Sequence, residues 1–127
     1  MASKERLEDV LKEMANDVEP GLHGMVVAGT DGMGIAFHKV SGDAAESMGS
    51  QMALIMQLSR RSAERLKEGD VEDVLLTTDK SYLIGRFLSD GNYFFVVNVA
   101  RDSVLGNVRL TMRNYADRLV KAIPTAK

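Results

Sequence analysis

The stretch Thr30-Asp31-Gly32-Met33-Gly34, set between the apolar runs 25–29 and 34–40, is the part of the chain most like a chemical motif. A glycine-rich turn cradles phosphate when its backbone N–H groups converge on the anion and the turn opens a helix; a P-loop further needs Gly-Lys-Ser or Gly-Lys-Thr at its end. That ending is missing here and the turn leads into a strand, so the dinucleotide-binding pattern fails on the same ground. Asp-Gly between two apolar runs is instead a hairpin signal. Glycine reaches positive φ at little cost, and aspartate tolerates the turn and bonds its own backbone.

The remaining reactive side chains are scattered. His23 falls in a loop and His38 within a strand, and neither has a carboxylate or second histidine at a metal-ligand spacing. Ser47, Ser50, Ser59 and Ser62 lie on a long helix, outside any Gly-x-Ser-x-Gly elbow. The carboxylate groups Glu5/Glu8/Asp9 and Asp70/Glu72/Asp73 read as solvated faces, because nothing apolar surrounds them to raise a pKa. The absence of cysteine removes a thiolate nucleophile, a cysteine zinc site and a disulfide framework, and suits a reducing compartment. The residues therefore predict no catalytic group, no cofactor and no metal, and the chain is not expected to be an enzyme.

Charge and hydropathy narrow the partners. With 16 basic against 18 acidic residues and a net charge of -2, there is no positive excess with which to release counterions from nucleic acid. The start of the chain, Met1-Ala2-Ser3-Lys4-Glu5-Arg6, has no apolar leader, and no run nears the ~20 apolar residues of a membrane span. A cytoplasmic protein without nucleic-acid or membrane partners is expected.

The elements that carry these residues follow from periodicity. At 127 residues and 45% hydrophobic content, the chain is expected to form one domain over 1–127. Leu7, Val10, Leu11, Met14 and Val18 fall on one side of a helix over 3–18. Strands are expected over 25–29 and 34–40, then a long helix with Asp43 as N-cap, Glu46 in capping-box position and Gly69 closing it. Strands over 71–78, 82–88 and 93–100 follow, the last two joined by a turn at Ser89-Asp90-Gly91-Asn92. The 93–100 strand, the most apolar, belongs in the middle of the sheet beside the first. A final helix is capped by Asp102 or Ser103 and ends before Pro124. The order α-β-β-α-β-β-β-α, with hairpins between most neighbouring strands, gives an α+β fold with an antiparallel sheet sandwiched by helices.

The long helix carries more apolar surface than a core needs. On an ideal wheel, Met48, Met52, Ile55, Ser59, Ser62, Ala63 and Leu66 form the face expected to lie on the sheet. Leu54 and Leu58 widen the apolar arc on one flank, Ala53 and Met56 on the other. Ala45, Gly49 and Ala53, spaced by four, would let another helix approach closely, and an interior glycine costs about 1 kcal/mol unless a close contact compensates. Met48, Met52 and Met56 add adaptable thioether surface. Ala45, Gly49, Ala53 and Met56 are accordingly expected to contact a partner, in preference to the alternative that the small-residue row reflects close packing within the fold. Arg60, Arg61, Arg65 and Lys67 complement the helix dipole at its C-terminal end.

Three stretches carry a family resemblance: residues 24–32 (GMVVAGTDG), residues 75–83 (LLTTDKSYL), and Asn107-Val108-Arg109-Leu110 followed by Tyr115-Ala116. In order and spacing, across nearly the whole chain, it resembles the Roadblock, or dynein light-chain-related, family, whose bacterial members include MglB-type regulators. The resemblance implies a five-stranded antiparallel sheet of Roadblock/profilin-like type, with the long helix on one face and both terminal helices on the other. It further implies a homodimer through the long helices and third strands, with Leu54, Leu58, Val71, Val74 and Leu76 at the interface. Pairing would cover an otherwise exposed sheet edge. Family members bind small Ras-like GTPases, and MglB-like dimers engage the GTP form and stimulate hydrolysis; other members are passive dimerisation or scaffold modules of larger complexes. Both functions are carried forward.

Overall fold

The computed structural model describes residues 5–88 and 91–124. The elements are α1 (Leu7–Val18), β1 (Leu22–Gly29), β2 (Gly34–His38), α2 (Gly42–Arg65), β3 (Asp73–Thr77), β4 (Ser81–Phe87), β5 (Tyr93–Ala100) and α3 (Leu105–Ala122), in the expected order. The start of the first helix at Ser3 and the turn residues Ser89 and Asp90 lie outside the described residues.

All five strands join one antiparallel sheet in the order β2-β1-β5-β4-β3. The apolar β5 is central and pairs with β1 through Val96 against Val26 and Val97 against Met25. Side chains alternate across it. Phe95, Val97 and Val99 pack into a core with Leu11 and Met14 of α1 and Met112 and Leu119 of α3, whereas Phe94 and Val96 pack with Met52 and Met56 of α2. Helices on both faces explain why these central strands are apolar throughout.

The glycine-rich turn is a hairpin corner. Gly29 N–H donates to the Met33 carbonyl and Gly32 N–H to the Gly29 carbonyl, both at 2.9 Å, while Met33 N–H donates to Asp31 Oδ1 at 3.0 Å. Gly32 takes φ of 92°, the left-handed region that glycine tolerates. Those donors are occupied within the turn.

Several boundaries move, each for a local reason. β1 starts at Leu22 because Leu22 and Gly24 already pair with Val99 and Asn98, which puts His23 in a strand rather than a loop. Gly24 is required there, since a Cβ would run into Val40. The N-cap of α2 is Ser41, whose Oγ accepts from Ala44 N–H at 3.1 Å, not Asp43. The helix closes at Leu66, with Lys67 taking φ of 57° immediately after, before Gly69 is reached. Val104 is the N-cap of α3, without the side-chain cap expected from Asp102 or Ser103.

Two ion-pair groups tie the layers. Arg109 of α3 donates to both carboxylate oxygens of Asp73, at 3.0 and 3.2 Å, fixing the start of β3; Asp73 is thus a half-buried partner and not part of a solvated face. Arg118 of α3 bridges Glu5 (2.6 Å) and Glu13 (2.8 Å), and the Tyr115 hydroxyl donates to Asp17 at 2.7 Å, clamping α3 to α1.

Candidate interaction surface

The orientation of α2 decides what this molecule presents. Ala45, Gly49, Met52, Ala53 and Met56 are its buried residues. A Cβ built on Gly49 would lie 3.5 Å from both the Ala28 Cβ and the Gly32 carbonyl, so the small-residue row is in close contact with the chain's own β1 and hairpin. Gly85 of β4 makes room for the methionines: a Cβ there would be 2.6 Å from the Met56 sulfur and 3.2 Å from Met52 Cε.

This corrects two expectations about the long helix. Ala45, Gly49, Ala53 and Met56 are covered by the sheet, so the partner contact expected of them is unavailable while α2 stays packed. The sheet-facing side is also turned by about 70°, at ~100° per residue, from the side expected. Of the residues expected on the sheet, only Met52 is buried; Met48, Ile55, Ser59 and Ala63 are half-buried, and Ser62 and Leu66 are exposed.

What α2 turns outward is a stripe with an apolar centre. Leu54 and Leu58 are 67% and 61% exposed, and the same stripe runs on through exposed Ser47 and Gln51 at one end and Arg61 and Arg65 at the other. Half-buried Met48 and Ile55 lie on the flank shared with Met52, the side toward β4. There α2 gives out: it sits chiefly over β1 and β2, and Val74 of β3 packs at the margin of the α2-side core. Val74 and Leu76 of β3, paired with Gly85 and Leu83, face the α2 side; Val74 is half-buried and Leu76 is 39% exposed. β3 is also a sheet edge, bonded to β4 alone. Val71, half-buried, precedes the strand rather than belonging to it.

The chemistry-bearing residues do not converge. Among the described residues no group of three or more His, Cys, Asp or Glu could hold a metal ion, and no helix is long and apolar enough to cross a membrane. His23 is exposed on β1 and His38 half-buried at the end of β2. Arg60 is engaged internally: its guanidinium lies 4.3 Å from the Phe87 ring centroid, with Nη1 donating to the Gly91 carbonyl at 2.9 Å and Nη2 to Gln57 Oε1 at 2.9 Å. Sequence reasoning missed that anchor, whose parts are far apart in the chain. It also missed that Met33, Ile35 and Phe37 are exposed; a register shift in β2 opposite Val27 and Ala28 breaks the simple alternation between Ile35 and Phe37 that periodicity would read.

An open antiparallel sheet with one long helix on one face and two terminal helices on the other, bearing an apolar helix stripe beside a free edge, defines the class: an α+β module of the profilin-like type. The chain belongs to the Roadblock/LC7 domain family, whose model matches residues 6–106. Solved structures agree in fold. A Roadblock/LC7 domain from Streptomyces avermitilis is 20% identical, with a TM-score of 0.82 over 91% of this chain and 96% of its own. Myxococcus xanthus MglB is 18% identical, with a TM-score of 0.81 over 91% and 92%. The gliding protein MglB of Thermus thermophilus is 15% identical, with a TM-score of 0.81 over 96% and 91%. No curated protein matches the chain. Family membership makes it a regulatory or scaffold module.

Proposed function

We propose that the protein is a non-catalytic homodimeric regulator that binds a small Ras-like GTPase in its GTP-bound form and stimulates hydrolysis. The observation that carries the dimer is the exposed Leu54–Leu58 centre of α2 on the same side as the free edge strand β3 with half-buried Val74 and exposed Leu76. Two antiparallel α2 helices crossing at those leucines would bury their apolar centres, while the polar ends splay to solvent. Edge-to-edge pairing of β3 would then satisfy its free backbone groups and remove an aggregation hazard.

The GTPase partner is supported by membership of the Roadblock family and by fold similarity to two MglB proteins. Since Ala45, Gly49, Ala53 and Met56 face the sheet, the contact passes to the polar ends of the outward stripe, Ser47 and Gln51 with Arg61 and Arg65. The protein would act by preferring the GTPase conformation in which the GTPase's own groups position water, a differential-binding effect.

The test is a pull-down from the source organism's lysate with this protein as bait, in GDP or a non-hydrolysable GTP analogue. A GTPase retained only with the analogue supports the regulator and leads to a hydrolysis assay. Nucleotide-independent recovery of a large assembly without a GTPase replaces it with the scaffold function.

A further inference from the structure

The opposite edge of the sheet carries a second apolar surface, separate from the Leu54–Leu58 centre of α2. β2 is bonded to β1 alone, and Met33, Ile35 and Phe37 are 67%, 37% and 46% exposed along it. Natural edge strands are blunted with charge, proline, a bulge or cover; β2 has a register shift that leaves Ile35 without a partner residue, yet Ile35 and Phe37 stay exposed along it. Between β2 and the start of α2 lies a groove of about 740 Å³, lined by those three residues together with Gly42, Asp43 and Glu46.

The charge around the groove has one sign. Asp31, Asp43 and Glu46 are exposed on its rim and form no ion pair among the described residues. On the other side of the strand, Ile35 lines a separate hollow in which exposed Glu8 and Arg6 carry opposite charges. Lys39, the basic residue that follows β2, is held by Glu19 at 2.7 Å. A second copy would bring like-charged rims together, and an anionic membrane surface would be repelled.

We propose that the β2 edge docks an extended segment of a partner protein that carries an apolar residue and a lysine or arginine two positions apart, on one side of the strand. Added as a sixth strand, the segment extends the sheet by backbone pairing. Every second side chain of the segment faces the α2 side, where an apolar one covers Phe37 and a basic one two positions away reaches Asp43 and Glu46. The acidic rim selects the partner by charge, the apolar floor by the two-residue spacing of side chains on one face.

The test selects random twelve-residue peptides by display on the full chain. Expected are enriched peptides that carry an apolar residue and a Lys or Arg two positions apart, shift the amide resonances of residues 34–38, and weaken with added salt. Their affinity should fall about tenfold or more, 1.4 kcal/mol, in the doubly charge-reversed Asp43→Lys/Glu46→Lys protein, and likewise in Phe37→Lys. All three positions are exposed, so unchanged circular dichroism checks that the variants fold. Failure to enrich, enrichment of acidic or uncharged peptides, shifts confined to other strands, or unchanged affinity on charge reversal would each overturn the proposal. So would a change in solution mass on Phe37→Lys without peptide, which would assign the edge to a second copy. Repeating the titration with Leu54→Glu/Leu58→Glu separates this edge from the dimer stripe, because peptide binding at β2 should persist.

Discussion

Arg60 lies over Phe87, its guanidinium carbon 4.3 Å from the ring centroid, and the same side chain donates to the Gly91 carbonyl. One residue of α2 thereby pins the β4–β5 hairpin by a cation–π contact and a charge-assisted hydrogen bond. Removing it with Arg60→Ala should cost about 1–2 kcal/mol in denaturant unfolding. Arg60→Lys should recover only part, because an ammonium lacks the planar fork that stacks and donates together.

The dimer stripe is tested by charge. Leu54→Glu with Leu58→Glu should halve the mass measured by sedimentation equilibrium while leaving the circular dichroism of the protomer unchanged, since both residues are exposed. An unaltered mass would remove these residues from the interface.

Gly49 discriminates internal packing from partner contact. A Cβ there meets Ala28, Gly32 and Val26 at 3.5–3.7 Å, ordinary van der Waals contact. Gly49→Ala should therefore fit and stabilise the protein by up to about 1 kcal/mol through helix propensity. Gly49→Arg forces a long charged chain between α2 and the sheet and should abolish cooperative unfolding. Loss of stability in the alanine variant would show that α2 and the sheet leave no room for a methyl group.

The α1–α3 clamp makes stability depend on pH at both extremes. Hydrogen bonds from Arg118 hold the Glu5 and Glu13 carboxyls below the ordinary value of 4.5. A lowered folded pKa stabilises the native state above pH 4.5, and that contribution is lost as pH falls through the lowered values. Arg118→Met should thus be less stable than the parent at pH 7, and the difference should shrink below pH 4.5. Equal acid-unfolding profiles would show that the clamp contributes nothing.

Tyr115 governs the alkaline side. Its hydrogen bond to Asp17, aided by desolvation and the Asp17 charge, pushes the phenol up from 10.0 to about 12. A raised folded pKa stabilises the protein fully below pH 10, and the contribution is lost as pH rises through about 12. Urea midpoints of the parent and Tyr115→Phe should differ at pH 8 and converge in that window. A constant difference would assign the hydroxyl no part in the pH response.

Much of the fold is legible in the chain because it is local. The β5 boundaries follow from an apolar run interrupted only at Asn98, the first hairpin from Asp-Gly, and the α1 face from apolar residues at three- and four-residue steps. The sheet order around β5 follows from which strands are apolar throughout. The helix caps were less legible, because Ser41, Asp43 and neighbouring polar residues compete for one role, and the path of the chain into the helix selects among them.

The candidate surface required the tertiary structure. Periodicity identifies which residues of α2 share a stripe, but two adjacent stripes were apolar enough to face the sheet. The choice fell to size: Ala45, Gly49 and Ala53 let the helix close on Val26, Ala28 and Gly32, and Gly85 leaves space for Met52 and Met56. That matching of small against large is made between positions distant in sequence, as are Arg60 with Phe87 and Arg109 with Asp73. The chain by itself determined the elements, their order and the α+β class. Packing between layers determined that the small-residue row is core, that Leu54 and Leu58 face outward, and that the sheet keeps two open edges.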